Sequence, residues 1–431
     1  MPELDRVAEG GGVRPRAASR RLPRHMAVGS RRHPIARGVA VALVFLLAFA
    51  TSVVGLTVKR VQGNITTYDV DQLLEGSRPT PSGSPPPVDL NAGRALNFVV
   101  IGSDSREGAN DVDGAGASGT TAGMRSDTTM LVHISADRSH VEVVSIPRDA
   151  LVDIPACVRA DGSQSSPQYD AMFNSAFQTG GGDGDIGAAA ACTIRTVEEL
   201  TGIYVDDFVV VDFAGFINVV NALGGVAMEI PEDIDDKEAG LHIQQGCRLL
   251  DGTQALGFAR VRKSVGDGSD ISRIGRQQDL VLAIVEEALS TNLLRNPARL
   301  YRFVDTSTQT LTTGNQVGDV GTLAGLGASL SSLRTDNVTF ITMPFEWAGP
   351  RVRPTTEYAM VVWDALRADQ PVDPVYSGES WAIAEALAER AAQATQPPTT
   401  EEPTTAAPPP DPGPAVTPPP EPVACTKETA S

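Results

Sequence analysis

Two aspartates stand next to predicted β-strands in the first third of the chain. Asp104 ends the apolar run LNFVVIGSD (96–104), and Asp127 comes just before the run TTMLVHIS (128–135). Because loops leave neighbouring strands at a common edge of a sheet, we expect these two side chains to approach each other. Two carboxylates with no histidine or thiol nearby suit a hard cation that prefers oxygen ligands. The pair predicts a Mg²⁺ (or Mn²⁺) site, although either acid alone would equally well cap a turn.

Arginines surround these two acids. Arg106 and Arg125 flank them along the chain, and Arg148 follows a third apolar run in the segment SIPRD. A single surface arginine usually serves solubility, but arginines gathered beside apolar segments need an anionic partner. Because the planar guanidinium matches phosphate oxygens with paired hydrogen bonds, the cluster favours a polyphosphate ligand.

A second polar group lies further along the chain. The segment ALGFARVR (255–262) predicts a strand in which the side chains of Arg260 and Arg262 leave the same face. The apolar repeat that follows predicts a long amphipathic helix over 271–289. Polar residues at helical offsets share one face of its first turns, where free N–H groups attract anions: Asp270, Arg273, Arg276 and Gln277.

The elements that position these residues follow from the spacing of apolar runs. Strands are expected at 96–104, 128–135, 140–147, 206–211, 226–230, 255–262 and 338–344, and helices at 187–200, 213–223, 271–289, 296–312 and 317–333. Because strands and helices alternate, we expect the α/β class, with a mixed central β-sheet packed between helices. The apolar stripe of the long helix indicates core packing, although a lipid groove would have the same pattern: Leu280, Ile284, Val285 and Leu289.

Charge is distributed unevenly along the chain. The segment before residue 39 has nine arginines and three acids, a charge of +6, and the whole chain carries −18, so the remainder carries −24. Nucleic-acid affinity depends on neutralising phosphates, which so acidic a domain cannot do over a broad surface. We therefore exclude nucleic acid as a partner and expect any anion to be bound by locally gathered arginines.

A membrane span is predicted near the N-terminus. The 20 residues Val39–Val58 contain no charge, and about 20 apolar residues cross the hydrocarbon core of a bilayer. The basic flank precedes the span, so the positive-inside rule places the N-terminus in the cytoplasm and the folded domain outside. The alternative is a cleaved signal peptide, which the late start and the absence of a clear cleavage site disfavour.

Composition divides the chain into further segments. We expect a cytoplasmic basic segment over 1–38, an extracytoplasmic Pro/Ser-rich spacer over 59–93 and a catalytic domain over 94–370. A helical extension (371–395) and a disordered Pro/Thr-rich tail (396–431) follow.

Five segments in order carry a resemblance to a known family. They are NFVVIGSDSR, RSDTTMLVHI, VVSIPRDALVDIP, FNSAF with TVEELTGIYVDDFVVVDFAGF, and LLDGTQALGFARVRKSVGDGSDISRIGRQQ, which together cover most of 95–290. With these segments the chain resembles the LytR–CpsA–Psr family of cell-wall enzymes, in its actinobacterial type. The resemblance implies a sheet packed between helices and a membrane-anchored phosphotransferase of Gram-positive envelopes, whose apolar pocket takes a prenyl chain.

The resemblance also implies a reaction and roles for residues. Such enzymes move a glycopolymer from a polyprenyl-pyrophosphate carrier to peptidoglycan, forming a phosphodiester bond. Matching motifs make Asp104 and Asp127 the magnesium-associated acids. They also give the pyrophosphate-binding set, to which position adds Arg106 and Arg276: Arg106, Arg125, Arg148, Arg260, Arg262, Arg273, Arg276 and Gln277. We expect the catalytic residues to be Arg148, Arg260, Arg262, Asp127 and Asp270.

The cysteines give one pairing by resemblance and leave one open. Cysteines like Cys157 and Cys192 occur together in actinobacterial relatives, so the resemblance implies a disulfide between them. A residue like Cys247 pairs in similar chains with a cysteine near position 229, which is Glu229 here. A free Cys247 thiol and a bridge to Cys425 are therefore both open.

Two other functions fit the same residues. With water as the acceptor, the site would hydrolyse the lipid-linked pyrophosphate. A non-catalytic regulatory or lipid-binding protein of the envelope would need the lipid site but not the metal-binding acids. Transfer to peptidoglycan is the function that the sequence favours.

Overall fold

The structure is a computed structural model. It describes residues 34–74, 78–79, 93–103, 124–182, 184–261, 270–290, 293, 295–331, 333–395, 425–427 and 429–430. The predicted site residues Asp104, Arg106 and Arg262 lie outside these ranges. A boundary between two units falls at Gly55/Leu56, and the sheet and the site described below belong to the unit that begins at Leu56.

The helices and strands are short and alternate along the chain. The helices are α1 (Pro34–Asn64), α2 (Ser175–Gly181), α3 (Ile186–Thr201), α4 (Phe213–Leu223), α5 (Gly252–Arg260), α6 (Asp270–Ala288), α7 (Pro297–Thr308), α8 (Val320–Leu330), α9 (Thr356–Arg367) and α10 (Ser380–Thr395). The first eight strands are β1 (Thr66–Tyr68), β2 (Leu96–Ser103), β3 (Ser126–Ile134), β4 (Val141–Ile146), β5 (Leu151–Ile154), β6 (Gln168–Met172), β7 (Asp207–Val211) and β8 (Val226–Ile230). The others are β9 (Ile234–Asp236), β10 (Leu241–Ile243), β11 (Gly246–Leu250), β12 (Leu311–Gly314), β13 (Val338–Thr342), β14 (Phe345–Ala348) and β15 (Arg351–Pro354).

A mixed sheet forms the centre of the domain. Within the described residues it has seven strands in the order β1-β12-β7-β2-β3-β4-β13. β3 is antiparallel to its two neighbours β2 and β4, whereas β7 runs parallel to β2 and β13 parallel to β4. The antiparallel pair β3 and β4 corresponds to the strands predicted at 128–135 and 140–147.

Helices cover both faces of this sheet. Val99 and Ile101 of β2 point to one face and pack in a core with α3 and with Trp363 of α9. Phe98 and Val100, which alternate with them, point to the other face with Val281 of α6 and residues of α8. The alternation along each strand therefore produces three layers, and the predicted α/β class with a mixed sheet between helices is confirmed.

One predicted strand is wrong. The segment ALGFARVR, expected to be a strand over 255–262, instead supplies most of α5, which ends at Arg260. The Asp251 carboxylate accepts a hydrogen bond from the Gln254 N–H at 2.9 Å, and the Gln254 side chain accepts one from the Asp251 N–H at 3.1 Å. This capping box starts a helix, and it outweighs an apolar alternation that imitates a strand. Arg260 is consequently a residue of a helix C-terminus.

The folded domain begins before the predicted boundary at residue 94. β1 pairs with β12 at the edge of the central sheet, and Val70 and Leu74 belong to its core. Arg78, expected in the Pro/Ser-rich spacer, donates to Glu198 at 2.7 Å and lies 4.2 Å over the Tyr204 ring. Part of the segment 59–93 is therefore structural.

The predicted membrane span coincides with α1, but many of its side chains lie outside the described residues. Over the part of the chain that is described, no helix has the length and apolar composition to cross a membrane.

Two disulfides join distant segments. Cys157 bonds Cys192, which confirms the pairing implied by the family resemblance. Cys247 bonds Cys425, so of the two alternatives for Cys247 the bridge is the one formed. The C-terminal residues around Cys425, expected in a disordered tail over 396–431, are thus attached to β11; residues 396–424 lie outside the described ranges.

An acid is buried where β7 meets the chain after β12. The Asp207 carboxylate accepts hydrogen bonds from the N–H groups of Val317 at 2.5 Å and Phe208 at 2.8 Å. Gly314 in β12 passes so close to this carboxylate that a side chain there would collide with it. Burial raises the pKa of Asp207 from 3.8 to about 6, because these hydrogen bonds only partly offset the lost hydration.

This pKa predicts a measurable dependence of stability on pH. The folded pKa is above the unfolded value, so the proton stabilises the fold below about pH 4, and that contribution is lost as pH rises through about 6. Relative to the wild type, Asp207→Asn should lose about 3 kcal/mol of pH dependence between these limits. Urea unfolding at both pH values measures it. The exposed control Asp235→Asn should keep the wild-type dependence, and an unchanged Asp207→Asn profile would contradict the assignment.

Candidate functional site

A cavity of about 400 Å³ lies between the central sheet and the helices α4, α5, α6 and α7. Its walls are mostly apolar and come from several elements: Met130, Phe213, Phe216, Val219, Leu280 and Ile284. Leu280 and Ile284 belong to the stripe of α6 that the sequence indicated as core. Both also contact the core beneath α4 and α5, so the stripe packs in the core and lines the cavity.

Polar side chains line part of the same cavity. They come from β3, from the end of α5 and from the beginning of α6: Asp127, Thr128, Arg260, Arg273 and Gln277. Along α6, the lining changes from Arg273 and Gln277 to Leu280 and Ile284. The cavity therefore has a charged end and an apolar end, as an amphipathic ligand requires.

Arg148 holds the charged end together. Its guanidinium donates to Asp127 Oδ1 at 2.6 Å, and its Nε lies 3.1 Å from Asp270 Oδ1 and 3.6 Å from Asp149 Oδ1. Burial alone would lower the pKa of Arg148, but Asp270 and Asp127 outweigh it and raise that pKa. The charge of Arg148 is therefore permanent, and it joins β3, the chain after β4 and the first turn of α6.

The first turns of α6 are attached on several sides. Asp270 forms an ion pair with Arg273, one turn along the helix. Gln277 accepts a hydrogen bond from the Thr128 hydroxyl at 3.1 Å and donates to the Ala259 carbonyl at 3.2 Å. This one amide ties α6 to β3 and α5, so its oxygen and nitrogen are both engaged when the site is formed.

Arg276 has a different environment from its neighbours on α6. It is buried, and its guanidinium donates to the carbonyl of Val261 at 2.6 Å. Val261 directly follows Arg260, so Arg276 fixes the end of α5 that carries Arg260. It is not among the residues that line the cavity, and its assignment to the pyrophosphate set stays a prediction.

Arg260 faces the cavity from the last turn of α5. Its guanidinium lies 5.1 Å from the centre of the Phe213 ring, at the beginning of α4. An aromatic face orients a guanidinium without neutralising it. This contact places the Arg260 guanidinium at the wall of the cavity.

The remaining predicted site residues lie further out or outside the described chain. Arg125 donates to Gln178 at 3.4 Å, just before β3. Ser103, which precedes Asp104, pairs with Ser126, which precedes Asp127. Asp104, Arg106 and Arg262 lie outside the described residues, so the distance between the two predicted metal-binding acids stays untested.

Several residues at the site were not singled out from the sequence, among them Thr128, Phe213 and Asp149. Thr128 and Phe213 line the cavity, and Asp149 lies beside Arg148. Asp149 and Thr128 directly follow predicted site residues, and that adjacency was the available signal. The sequence carries no signal for Phe213, because an aromatic residue at the start of a helix is usually part of the core.

The arginine at the centre of three carboxylates gives a prediction about stability. Arg148→Met should lower the free energy of unfolding at pH 7 by about 3 kcal/mol, since it leaves Asp127, Asp149 and Asp270 facing one another.

Urea titrations of the variant and the wild type at pH 7 measure this effect. The control is Arg353→Met, whose pair with Asp170 is exposed and should contribute less than about 1 kcal/mol. Equal losses in the two variants would show that Arg148 is not a central interaction.

Comparisons with known proteins identify proteins of similar sequence. The chain is 33% identical over 220 residues to the probable cell wall biosynthesis protein LcpB of Corynebacterium glutamicum, covering 51% of this chain and 48% of that protein. It is 29% identical over 328 residues to the cell wall biosynthesis protein LcpA of the same organism, covering 72% and 60%. The match therefore spans about half to three fifths of the length of these relatives.

A third relative is named for a reaction. The polyisoprenyl-teichoic acid–peptidoglycan teichoic acid transferase TagT of Bacillus subtilis is 31% identical over 252 residues, covering 57% of this chain and 68% of that protein. The sequence model of the LytR_cpsA_psr family matches residues 57–370, a range that begins with the end of α1 and includes β1. The chain therefore belongs to the LytR–CpsA–Psr family.

Proposed function

We propose that this chain is a phosphotransferase that moves a glycopolymer from a polyprenyl-pyrophosphate carrier to peptidoglycan, forming a phosphodiester bond. Membership of the family and the reaction for which its relative TagT is named support the class of reaction. The proposal extends to this chain what that name says of its relative.

One observation carries the proposal: a single cavity joins an apolar wall to a cluster of arginines. A polyprenyl pyrophosphate is amphipathic in the same way, with a long apolar chain and a compact anionic head. Arg260 and Arg273 both line the charged end, where their guanidinium groups would bind phosphate oxygens. The apolar side chains of α4 and α6 would then surround the first prenyl units.

The arginines would act by positioning and charge neutralisation. In phosphoryl transfer the acceptor hydroxyl attacks the sugar-linked phosphorus and polyprenyl phosphate leaves, with little covalent work for the protein. Arg260 and Arg273 would stabilise the negative charge that develops on the leaving phosphate. Arg148 lies among three carboxylates and does not line the cavity, so its role would be to position Asp127 and Asp270.

The two predicted catalytic acids have different positions. Asp127 lines the cavity with its side chain 32% exposed, whereas Asp270 is engaged by both Arg148 and Arg273. A carboxylate held between two cations is a weak base. We therefore assign to Asp270 the positioning of the two arginines, and to Asp127 the contact with the reacting groups in the cavity.

A Mg²⁺ or Mn²⁺ ion fits the donors at this end of the cavity. Asp127 offers carboxylate oxygens from a partly exposed position, and such cations prefer oxygen ligands. Asp127, together with Asp104, would hold the ion, and when bound it would offset the charge of the pyrophosphate. The arginines would still bind the phosphates on the side of α5 and α6.

We also propose that the chain is a single-pass protein of the cell membrane, with its catalytic domain outside the cytoplasm. The uncharged segment Val39–Val58 and the basic flank before it support this orientation. The two disulfides support an oxidising compartment, since cytosolic thiols are kept reduced. An anchor of this kind would keep the cavity close to its lipid substrate.

Removal of the Arg260 charge at the cavity should abolish most activity without unfolding the protein. Arg260→Ala should lower the rate of transfer by a factor on the order of 10²–10³, because one preorganised donor to the phosphates is lost. Arg260→Lys should recover part of the rate, since it restores the charge but not the paired hydrogen bonds. A reconstituted assay with labelled lipid-linked glycopolymer measures the rates.

The matched control is Arg299→Ala, which removes an exposed arginine of α7 that does not line the cavity. This variant should transfer at the wild-type rate. If Arg260→Ala also keeps the wild-type rate while remaining folded, the assignment of Arg260 is wrong.

Product analysis separates transfer from the two other functions. With peptidoglycan present, the labelled glycopolymer should become wall-linked and polyprenyl phosphate should be released. Without peptidoglycan, release should fall by at least about tenfold, as expected when binding energy from the acceptor drives the reaction. Equal release in both conditions would indicate a hydrolase, and lipid binding with no release in either would indicate a binding protein.

A further inference from the structure

The C-terminal residues lie against the helices that form the cavity. Cys425 is bonded to Cys247 of β11, with their Cα atoms 5.3 Å apart. Two residues later, the Lys427 ammonium donates to the Leu223 carbonyl at 2.9 Å and forms an ion pair with Glu287 at 2.8 Å. Leu223 is the last residue of α4 and Glu287 lies in the last turn of α6. One ammonium group therefore joins the C-terminal ends of two helices.

These helix ends lie just beyond the apolar end of the cavity. Val219 is the cavity-lining residue nearest the end of α4, and Ile284 is the one nearest the end of α6. Leu223 and Glu287 each follow by about one helical turn. Arg273 lines the charged end of the same helix, and α6 rises roughly 16 Å between Arg273 and Ile284. Lys427 is therefore at the opposite end of α6 from the arginines.

Electrostatics make Lys427 necessary at this position. The C-terminal end of a helix carries a partial negative charge, and both α4 and α6 end here. Glu287 adds a full negative charge, and its side chain is only 19% exposed. Without the ammonium, two helix ends and a carboxylate would repel one another. The disulfide holds the segment in place, so the ammonium does not depend on the ion pair alone.

We propose that Lys427 closes the apolar end of the cavity and thereby limits the length of the apolar chain that the protein binds. The inference rests on the proposed lipid pyrophosphate substrate and names the residue that determines which chain lengths fit. While Lys427 contacts Leu223 and Glu287, α4 and α6 are held together. A prenyl chain longer than the cavity must then bend away from it. Loss of the Lys427 contacts would let a longer prenyl chain pass between the two helix ends.

The test compares the affinities of the full chain for two probes, geranyl pyrophosphate and decaprenyl pyrophosphate, in detergent micelles. Lys427→Met keeps the apolar stem and removes the charge. It should improve the Kd for the long probe relative to the short probe by about tenfold, the size of effect that pocket fit produces. Lys427→Arg should restore the wild-type ratio, because it restores a cation at the two helix ends.

Further variants make the outcome decisive. Lys237→Met, which removes an exposed lysine away from the cavity, should leave the ratio unchanged. The paired change Cys247→Ser with Cys425→Ser releases the whole segment and should shift the ratio in the same direction as Lys427→Met. If Lys427→Met does not fold, the ratio of Kd values of this paired variant tests the proposal instead.

If Lys427→Met folds and its ratio of Kd values is unchanged, the proposed role of Lys427 is wrong. If Lys427→Met does not fold, an unchanged ratio of Kd values in the paired cysteine variant leads to the same conclusion. Wild-type protein that binds neither probe overturns the proposed lipid site instead, so the two failures are distinguishable.

Discussion

The charged end of the cavity depends on one interaction, the placement of the Arg148 guanidinium among Asp127, Asp149 and Asp270. These residues come from β3, from the chain after β4 and from the first turn of α6, so one cation joins three parts of the fold. Without Arg148, these partly buried carboxylates would repel one another. Arg148 reduces this repulsion, and Arg260 and Arg273 line the cavity beside the cluster.

The rest of the domain serves the two ends of this cavity. The alternating side chains of β2 place one set of residues in the core with α3 and the other set toward α6. Where α4, α5, α6 and α7 do not fill the space over the sheet, the apolar cavity remains. Gln277 attaches α6 to β3 and α5 at the charged end, and Lys427 attaches it to α4 at the other end. The long helix is thus fixed at both ends and lines the cavity between them.

Much of the fold could be predicted from the sequence because local signals agreed with the tertiary structure. The helix predicted at 213–223 has the bounds of α4, since Asp212 caps its start and Gly224 its end. The strand predicted at 226–230 has the bounds of β8. At 255–262 the signals conflicted, and the capping box of Asp251 and Gln254 overrode an alternation that resembles a strand. The early strand β1 was missed because three residues carry no readable period.

The sequence predicted which residues belong to the site better than it predicted how they are arranged. Sequence identified Asp127, Arg148, Asp270 and Arg273 as a group, but not that Arg148 would bind the acids while Arg260 faces the cavity. That division depends on which side chains point into an open space, a property of tertiary packing. The contact of Lys427 with Glu287 and Leu223 had no local signal, because 140 or more residues separate the partners.

The central claim is that a single cavity binds both the chain and the head of a lipid pyrophosphate. A crystal structure of the protein with geranyl pyrophosphate tests it most directly. The account predicts pyrophosphate oxygens within hydrogen-bond distance of Arg260 and Arg273, with the prenyl chain between α4 and α6 along Leu280 and Ile284. A pyrophosphate located at the Ile284 end, or a lipid bound outside this cavity, would contradict it.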